Sequence, residues 1–225
     1  MSTATDYAKP EALVSTEWAA AHGHDADVRL VEVDVDVTSY ATGHIQGAAG
    51  WNWQTQLTDT VHRDIPSKAA WEALLSATGV SADTHLVLYG DNNNWFAAYA
   101  YWVARIYGHK HVSLINGGRK KWELEGRELV TEIPHFNTTS YHAAEPDFSI
   151  RAYAHDVRAT IGAAGHSLVD VRSPAEYTGQ VIAPPGMSET AQRAGHVPGA
   201  ANVPWAQAAN EDGSFKSAAE LSALY

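Results

Sequence analysis

One short phrase occurs twice in this chain, and the repetition constrains the fold more than any other feature. His-Ile-Gln-Gly-Ala at residues 44–48 returns as His-Val-Pro-Gly-Ala at residues 196–200. Apolar and acidic residues alternate just before each copy, at residues 30–34 and 168–171, and a tryptophan follows each copy. A fixed order of elements that occurs twice predicts two copies of one domain.

The elements around the first copy alternate between strand and helix. Valine alternates with charged residues over 29–36, which predicts a strand, and apolar runs at 85–89 and 112–115 predict two more. Helices are predicted to begin after Ser15 and Ser67, because a serine side chain can accept hydrogen bonds from the first amides of a helix. This α/β pattern predicts a mainly parallel central sheet with helices on both faces.

The pattern divides the chain into three parts. We predict a first domain over residues 8–130, and a linker over 131–150, where prolines, serines and threonines replace the apolar periodicity. A second domain of the same α/β class is predicted over 151–225. The sequence ends sooner after the second Gly-Ala than the first domain does after its own, so the second domain is expected to be truncated in this chain.

Composition excludes several kinds of partner. The net charge is −11, and no basic stripe is present, so nucleic acid is not expected as a partner. Residues 1–150 carry 10 basic and 19 acidic side chains, and residues 151–225 carry 5 and 7, so a small anion meets less repulsion in the second half. No apolar run reaches the length of a membrane span, and no signal pattern opens the chain, which favours a cytoplasmic protein with no membrane partner.

Cysteine is absent from the 225 residues. This excludes disulfides, thiolate metal sites and a cysteine nucleophile within the sequence as printed. The His-x-His pairs at 22–24 and 109–111 lack a third ligand in a recognisable pattern, so no metal site is predicted. No nucleotide or organic cofactor is indicated either.

Both copies of the phrase resemble the first hallmark of the rhodanese family, the sulfurtransferases of tandem-domain type. That hallmark is an aromatic residue, three residues, and then His-aliphatic-Pro-Gly-Ala. The first copy begins with Tyr40 and has Gln46 in place of proline, whereas the second has Gln192 in place of the aromatic residue. Residues 115–118 with the tryptophan that follows resemble the second hallmark. The resemblance covers nearly the whole chain and is greatest to the thiosulfate sulfurtransferases of bacteria.

The resemblance implies a silent first domain and an active second one. In the family, a cysteine at the end of the central strand of the second domain lies in a loop whose backbone amides favour an anion. In the first domain, Gly90 and Asp91 occupy the equivalent position. The second domain's cysteine is expected beyond Tyr225, on a remaining segment of the same protein, possibly present as a separate chain.

The implied reaction moves the outer sulfur of thiosulfate, a small anionic donor, to cyanide or a thiol through a cysteine persulfide. Two alternatives stay open: 3-mercaptopyruvate as the donor, or a non-catalytic rhodanese-like binding module, which the absence of cysteine favours. A cysteine phosphatase of the same architecture is a third possibility, which the tandem linker disfavours.

Several residues are candidates for the site. Arg193 and Arg172 are expected on the substrate side, because guanidinium groups suit sulfonate-like anions, although Arg172 could instead pair with Asp170 or Glu176. The hallmark residues are interpreted as structural, with the histidines as turn residues rather than catalytic bases: His44, Gly47, His196 and Gly199. The run Arg119-Lys120-Lys121 is interpreted as a solvated helix face.

Overall fold

The computed structural model describes residues 7–183 and 191–225. These residues form two compact units. The first contains the chain up to Ile150 together with the segment Glu211–Phe215, and the second contains Arg151–Asn210 and Lys216–Tyr225. Each unit is described separately.

A parallel five-stranded sheet forms the centre of the first unit. The strand order is β1-β5-β4-β2-β3, and every neighbouring pair is parallel. The register places Val31 of β2 opposite both Ala49 of β3 and Leu88 of β4. The strands are β1 (Leu13–Val14), β2 (Val28–Asp34), β3 (Ala49–Asn52), β4 (His85–Tyr89) and β5 (Val112–Ile115).

Helices connect these strands, and two of them begin at the predicted serines. Ser15 accepts a hydrogen bond from the Trp18 amide at 3.1 Å, and Ser67 accepts one from the Ala70 amide at 3.2 Å. Among the described residues, no helix combines the length and the apolar character needed to cross a bilayer. The helices are α1 (Thr16–His22), α2 (Thr38–Thr42), α3 (Trp53–Gln56), α4 (Lys68–Ala77), α5 (Trp95–Ile106) and α6 (Gly118–Leu124).

The sheet is covered on both faces, as predicted. Leu86 and Leu88 of β4 pack with α4 and α5 on one face, whereas Val87 and Tyr89 pack with α1 and α6 on the other. Side chains alternate along a strand, so every second residue of β2 shares the face of α1 and α6. The side chains of Leu30, Glu32 and Asp34 in β2 therefore all lie on that face.

Residues 131–150, predicted to be a linker, run along the first unit without regular structure apart from a short 3₁₀ turn at Phe148–Ile150. Just before this stretch, Val130 exchanges two backbone hydrogen bonds with His44. Further along, the Thr139 amide donates to the Ser76 carbonyl, and the Tyr141 side chain is buried. Hydrogen bonds and burial thus attach this stretch to the first unit.

The second unit repeats the strand-helix order on a smaller sheet, in which β6 and β7 pair in parallel with Val169 opposite Ala201. The helix that the sequence predicts from residue 154 ends at Thr160. The strand predicted over residues 167–171 is only two residues long, Val169–Asp170. Val169 and Val171 are 39% and 45% exposed, so much of this strand's apolar surface faces outward. The elements are α7 (Ala154–Thr160), β6 (Val169–Asp170), α8 (Pro174–Thr178), β7 (Ala201–Asn202) and α9 (Ala218–Leu224).

Candidate functional site

The Gly-His turn of the first unit, residues 43–48, is held in place by Tyr40 and His44. The rings of Tyr40 and His44 stack with 3.9 Å between their centroids. His44 Nδ1 lies 2.9 Å from the Tyr40 carbonyl, and the Tyr40 hydroxyl donates to the Ala48 carbonyl at 2.8 Å. The other ring nitrogen of His44 contacts the Glu132 carbonyl, and the ring is fully buried. Both nitrogens are thereby engaged by backbone, which is the arrangement of a turn residue.

The second unit builds the same turn from Tyr177 and His196. Their rings stack at 3.7 Å, His196 Nδ1 lies 2.8 Å from the Tyr177 carbonyl, and the Tyr177 hydroxyl donates to the Ala200 carbonyl at 2.7 Å. The expectation that the second copy lacks its leading aromatic residue is therefore wrong. Tyr177, near the end of α8, supplies the ring. A long insertion separates it from the histidine, so the aromatic residue does not stand at the family's usual spacing.

The glycines of the two turns adopt the same conformation. Gly47 has a φ of +78° and Gly199 a φ of +83°. This left-handed region costs glycine little and strains other residues. The turn thus needs glycine for its backbone path.

A buried ion pair lies under the turn of the first unit. Arg119 Nη1 lies 2.6 Å from Glu32 Oε1, and the same nitrogen donates to the Gly43 carbonyl. The Glu32 side chain is fully buried and that of Arg119 is only 12% exposed. The interpretation of residues 119–121 as a solvated face is wrong at Arg119, because the sheet register places a buried carboxylate beneath it.

Arg172 makes the corresponding contact in the second unit. Its Nη2 lies 2.5 Å from Asp170 Oδ2 and 2.8 Å from the Gly195 carbonyl. This hydrogen bonding raises the pKa of Arg172 and lowers that of Asp170. A guanidinium thus binds the carbonyl that precedes the hallmark histidine in both units, although it comes from different positions in the two halves.

Arg193 lies apart from that network. Arg193 is exposed, and it lies shortly after residues 184–190, which are outside the described part of the chain. In the second unit the structure therefore brings Arg172 to the turn and leaves the Arg193 side chain toward solvent.

The Asn94 side chain links the loop after β4 to the end of β5. Its Oδ1 accepts from the Gly90 amide at 3.1 Å, and its Nδ2 donates to the Ile115 carbonyl at 2.7 Å. A Cβ at Gly90 would lie 2.4 Å from the Val33 carbonyl oxygen, so only glycine fits there. The Asp91 amide donates to Asp34 Oδ1 at 3.0 Å.

Carboxyl groups dominate the electrostatics of this loop. Burial, with the Glu32 charge nearby, raises the pKa of Asp34 to about 7. Burial and the neighbouring Asp34 raise the pKa of Asp91 to about 6. Ionised carboxyl groups at this place disfavour a small anion. In the described ranges, no group of three His, Cys, Asp or Glu side chains is arranged to hold a metal ion.

The segment Glu211–Phe215 contacts the neighbouring loop of the first unit, which sequence reasoning did not anticipate. Asp212 Oδ2 lies 2.8 Å from Lys121 Nζ, and the Phe215 amide donates to Asn116 Oδ1 at 2.8 Å. Burial opposes ionisation of Asp212, but hydrogen bonds from Lys121 and Ser214 outweigh it and lower its pKa to about 2. The chain's own residues thus occupy this side of the first unit.

These features define a class: a duplicated α/β protein in which each half has one Gly-His turn and one guanidinium bound to the carbonyl before the turn's histidine. The rhodanese-like domain model matches residues 15–125 and 153–223. The chain belongs to the rhodanese-like domain family, as the sequence motifs predicted.

Relatives support this assignment over nearly the whole chain. A putative thiosulfate sulfurtransferase of Saccharopolyspora erythraea is 52% identical over 218 residues, which is 96% of this chain and 77% of that protein. The sulfur carrier protein TtuD of Thermus thermophilus is 51% identical over 223 residues, covering 97% of this chain and 78% of that protein.

Solved structures share the fold. SseA of Escherichia coli, described with the rhodanese fold and mechanism of 3-mercaptopyruvate sulfotransferases, matches with a TM-score of 0.81 and 26% identity. The match covers 95% of this chain and 82% of that one. The Tum1 protein of Saccharomyces cerevisiae has a TM-score of 0.78 at 18% identity, covering 94% and 78%, and this likeness concerns the fold alone.

Proposed function

We propose that this chain belongs to a sulfurtransferase that takes the outer sulfur of thiosulfate and passes it to cyanide or a thiol. The observation that carries the proposal is 52% identity, across both repeats, to a protein named as a putative thiosulfate sulfurtransferase. The repeated turn geometry supports it, because the second unit keeps the stacked tyrosine and histidine of the first.

The proposed chemistry has two steps. A thiolate attacks the outer sulfur of thiosulfate, a new S–S bond forms, and the old S–S bond breaks so that sulfite leaves with the electron pair. Cyanide or an acceptor thiolate then attacks the outer persulfide sulfur, and the first thiolate leaves. Backbone amides at a helix start favour the thiolate over the thiol.

The thiol is proposed to come from a segment after Tyr225, since the printed residues contain no cysteine. Two observations support this. The Saccharopolyspora erythraea relative is longer than its aligned part, which is 77% of its length, so a protein of this kind has room for a further segment. The second unit also exposes Val169 of β6 and the adjacent Val171, which further strands would cover.

The two arginines take different roles in this proposal. Arg193, exposed and positively charged, is assigned to the anionic end of the donor. Arg172 is assigned to positioning the turn through the Gly195 carbonyl, since Asp170 already engages its guanidinium.

A second donor, 3-mercaptopyruvate, is favoured by one observation, the 0.81 TM-score to SseA of Escherichia coli. A non-catalytic binding module remains the alternative from another class. The loop Gly90–Asn94, which has one carboxyl group and no cysteine, gives an example of a rhodanese-like loop without a thiol nucleophile.

A chimera tests the proposal. The 225-residue chain is fused to the part of the Saccharopolyspora erythraea relative that follows the aligned segment. Thiocyanate formation is then measured with thiosulfate or 3-mercaptopyruvate as the donor, and a cysteine-to-serine variant of the fusion is the control. We expect no activity from the chain alone and cysteine-dependent activity, larger with thiosulfate, from the fusion.

The other outcomes are equally informative. Greater kcat/KM with 3-mercaptopyruvate would replace the donor and retain sulfur transfer. A folded fusion inactive with both donors would overturn the enzyme proposal in favour of a binding module. Activity of the 225-residue chain alone would contradict the cysteine mechanism.

A further inference from the structure

Three carboxyl groups lie together beneath the loop after β4, with one guanidinium as their counter-charge. Glu32 and Asp34 are alternate residues of β2 and share one face of the sheet, and both are buried, at 0% and 1% exposure. Asp34 accepts from the Asp91 amide, which brings the third carboxyl close. Arg119 binds only one oxygen of the set directly, Glu32 Oε1. Fully ionised, the trio would carry three negative charges against one positive charge in a buried place.

The second carboxylate oxygen of Glu32 lacks a hydrogen-bond donor among the described residues. This oxygen, Oε2, is buried. The buried Asp34 carboxyl follows Glu32 by two residues on the same face of β2, and burial, with the Glu32 charge nearby, raises its pKa. The Tyr89 hydroxyl, which accepts from the Ile45 amide, also lies near Glu32 but adds no hydrogen bond of good geometry to Oε2. Two ionised carboxylates cannot bond each other, whereas one carboxylic acid can donate to a carboxylate.

We propose that Asp34 holds a proton at mildly acidic pH and donates it to Glu32 Oε2, so that Glu32, Asp34 and Asp91 form a buried proton-binding site. The proton supplies the donor that Glu32 Oε2 lacks. It also removes one of the three negative charges, and a buried charge without a partner is costly. Within the described residues no metal-binding cluster offers another way to neutralise the trio.

The groups that face the trio from the surrounding elements agree with this assignment. The positive neighbour is Arg119 of α6, which also pairs with Glu123. Tyr40 of α2 and Tyr89 of β4 are held in the phenol form, since burial and the nearby Glu32 raise the pKa of both hydroxyls. Burial and the neighbouring Glu32 likewise raise the pKa of Asp34 to about 7, against hydrogen bonding from Asp91, which lowers it.

Infrared spectroscopy of the whole 225-residue chain tests the proposal directly. A protonated carboxyl has a C=O stretching band that a carboxylate lacks. We expect one such band that disappears as the pH rises through about 7, above the value of about 6 near which the Asp91 carboxyl loses its own proton. The band should be absent from Asp34→Asn and retained in Asp91→Asn. A band that survives Asp34→Asn, or no band in the wild type, would overturn the assignment.

Unfolding equilibria give a second test with a matched control. A native state that keeps a proton that the unfolded chain releases loses stability as the pH rises between the two pKa values. The ratio of the wild-type unfolding constant to that of Asp34→Asn should rise about tenfold per pH unit between about pH 5 and 7. Asp36→Asn, at a nearby exposed position, should show no such rise. A constant ratio for Asp34→Asn refutes the proton site, whatever the outcome of the chimera assay.

Discussion

Tyr177 and His196 lie 19 residues apart in sequence, and their rings stack at 3.7 Å. The equivalent pair in the first unit, Tyr40 and His44, is separated by four residues and stacks at 3.9 Å. The two halves thus share the stacking contact between tyrosine and histidine, although the number of residues between the two rings differs. An insertion between the aromatic residue and the histidine leaves the turn unchanged, because the stack and two hydrogen bonds fix its ends.

The hydroxyl in each stack should matter independently of the ring. Tyr40→Phe keeps the stack on His44 but leaves the Ala48 carbonyl without its donor. We expect a loss of about 1 kcal/mol in the free energy of unfolding, as for one partly buried hydrogen bond. Chemical denaturation measures it, with Tyr101→Phe as the control, since the Tyr101 hydroxyl has no hydrogen bond among the described contacts. Equal stability of the two variants would show that the hydroxyl contributes nothing.

Removing Arg119 should be far more damaging than removing an exposed arginine. Arg119→Met leaves the fully buried Glu32 carboxylate without its counter-charge. Breaking a buried pair in this way costs about 3–5 kcal/mol. Urea denaturation of Arg119→Met against Arg105→Met, at an exposed position of α5, provides the comparison. The double variant Arg119→Met with Glu32→Leu should recover part of the loss, and failure to do so would contradict the charge explanation.

The buried His109 should make the first unit sensitive to mild acid. Its Nε2 lies 3.0 Å from the Thr84 carbonyl and its Nδ1 lies 3.0 Å from the Tyr141 hydroxyl. Burial lowers the pKa of His109, so the unfolded state binds a proton more readily. Stability is therefore fully present above about pH 6.5, the unfolded value, and declines as the pH falls below it.

Thermal unfolding between pH 7.5 and 5 measures this decline. The difference in stability between the wild type and His109→Gln should shrink as the pH falls, because only the wild type carries the acid-sensitive group. His62→Gln, which removes a histidine with a 79% exposed side chain, is the control. A wild-type advantage that grows toward pH 5 would reverse the sign and refute the prediction.

Arg193 should affect donor binding rather than stability. In the active fusion, Arg193→Gln removes a charge-assisted contact to the anionic donor, and a contact of this kind contributes about 1.5 kcal/mol or more. We expect KM for thiosulfate to rise about tenfold with little change in kcat. Arg158→Gln, at an exposed position of α7, is the control. An unchanged KM would leave Arg193 as a surface charge.

The local features of the fold could be predicted because their signals are local. Ser15 and Ser67 cap their helices, and the strands at His85–Tyr89 and Val112–Ile115 have the predicted bounds. Each follows from a capping side chain or a short run of apolar residues. The parallel order then follows from the alternation of strand and helix.

The contacts of the site could not be predicted, since they depend on register. Nothing in the sequence near Arg119 indicates that Glu32, 87 residues earlier, lies beneath it. A signal was nevertheless available in β2, because charges that alternate with valine must be buried when both faces of a sheet are covered. The stack of Tyr177 on His196 was hidden for another reason, namely the insertion that separates the two residues.

The contact of Asp212 with Lys121 should hold the segment Glu211–Phe215 on the first unit. Asp212→Asn removes that ion pair, a partly exposed one of about 0.5–1 kcal/mol. The Phe215 amide, which donates to Asn116, should then exchange with deuterium about two to five times faster at neutral pH.

Because the pKa of Asp212 is lowered to about 2, its contribution is present above the unfolded value of about 3.9 and is lost only as the pH falls through about 2. The effect should therefore be the same at pH 7 and pH 5. Glu211→Gln removes the same charge one residue earlier, at an exposed position, and should leave the Phe215 amide unaffected. Equal acceleration by both variants would mean that net charge, rather than the bond to Lys121, retains the segment.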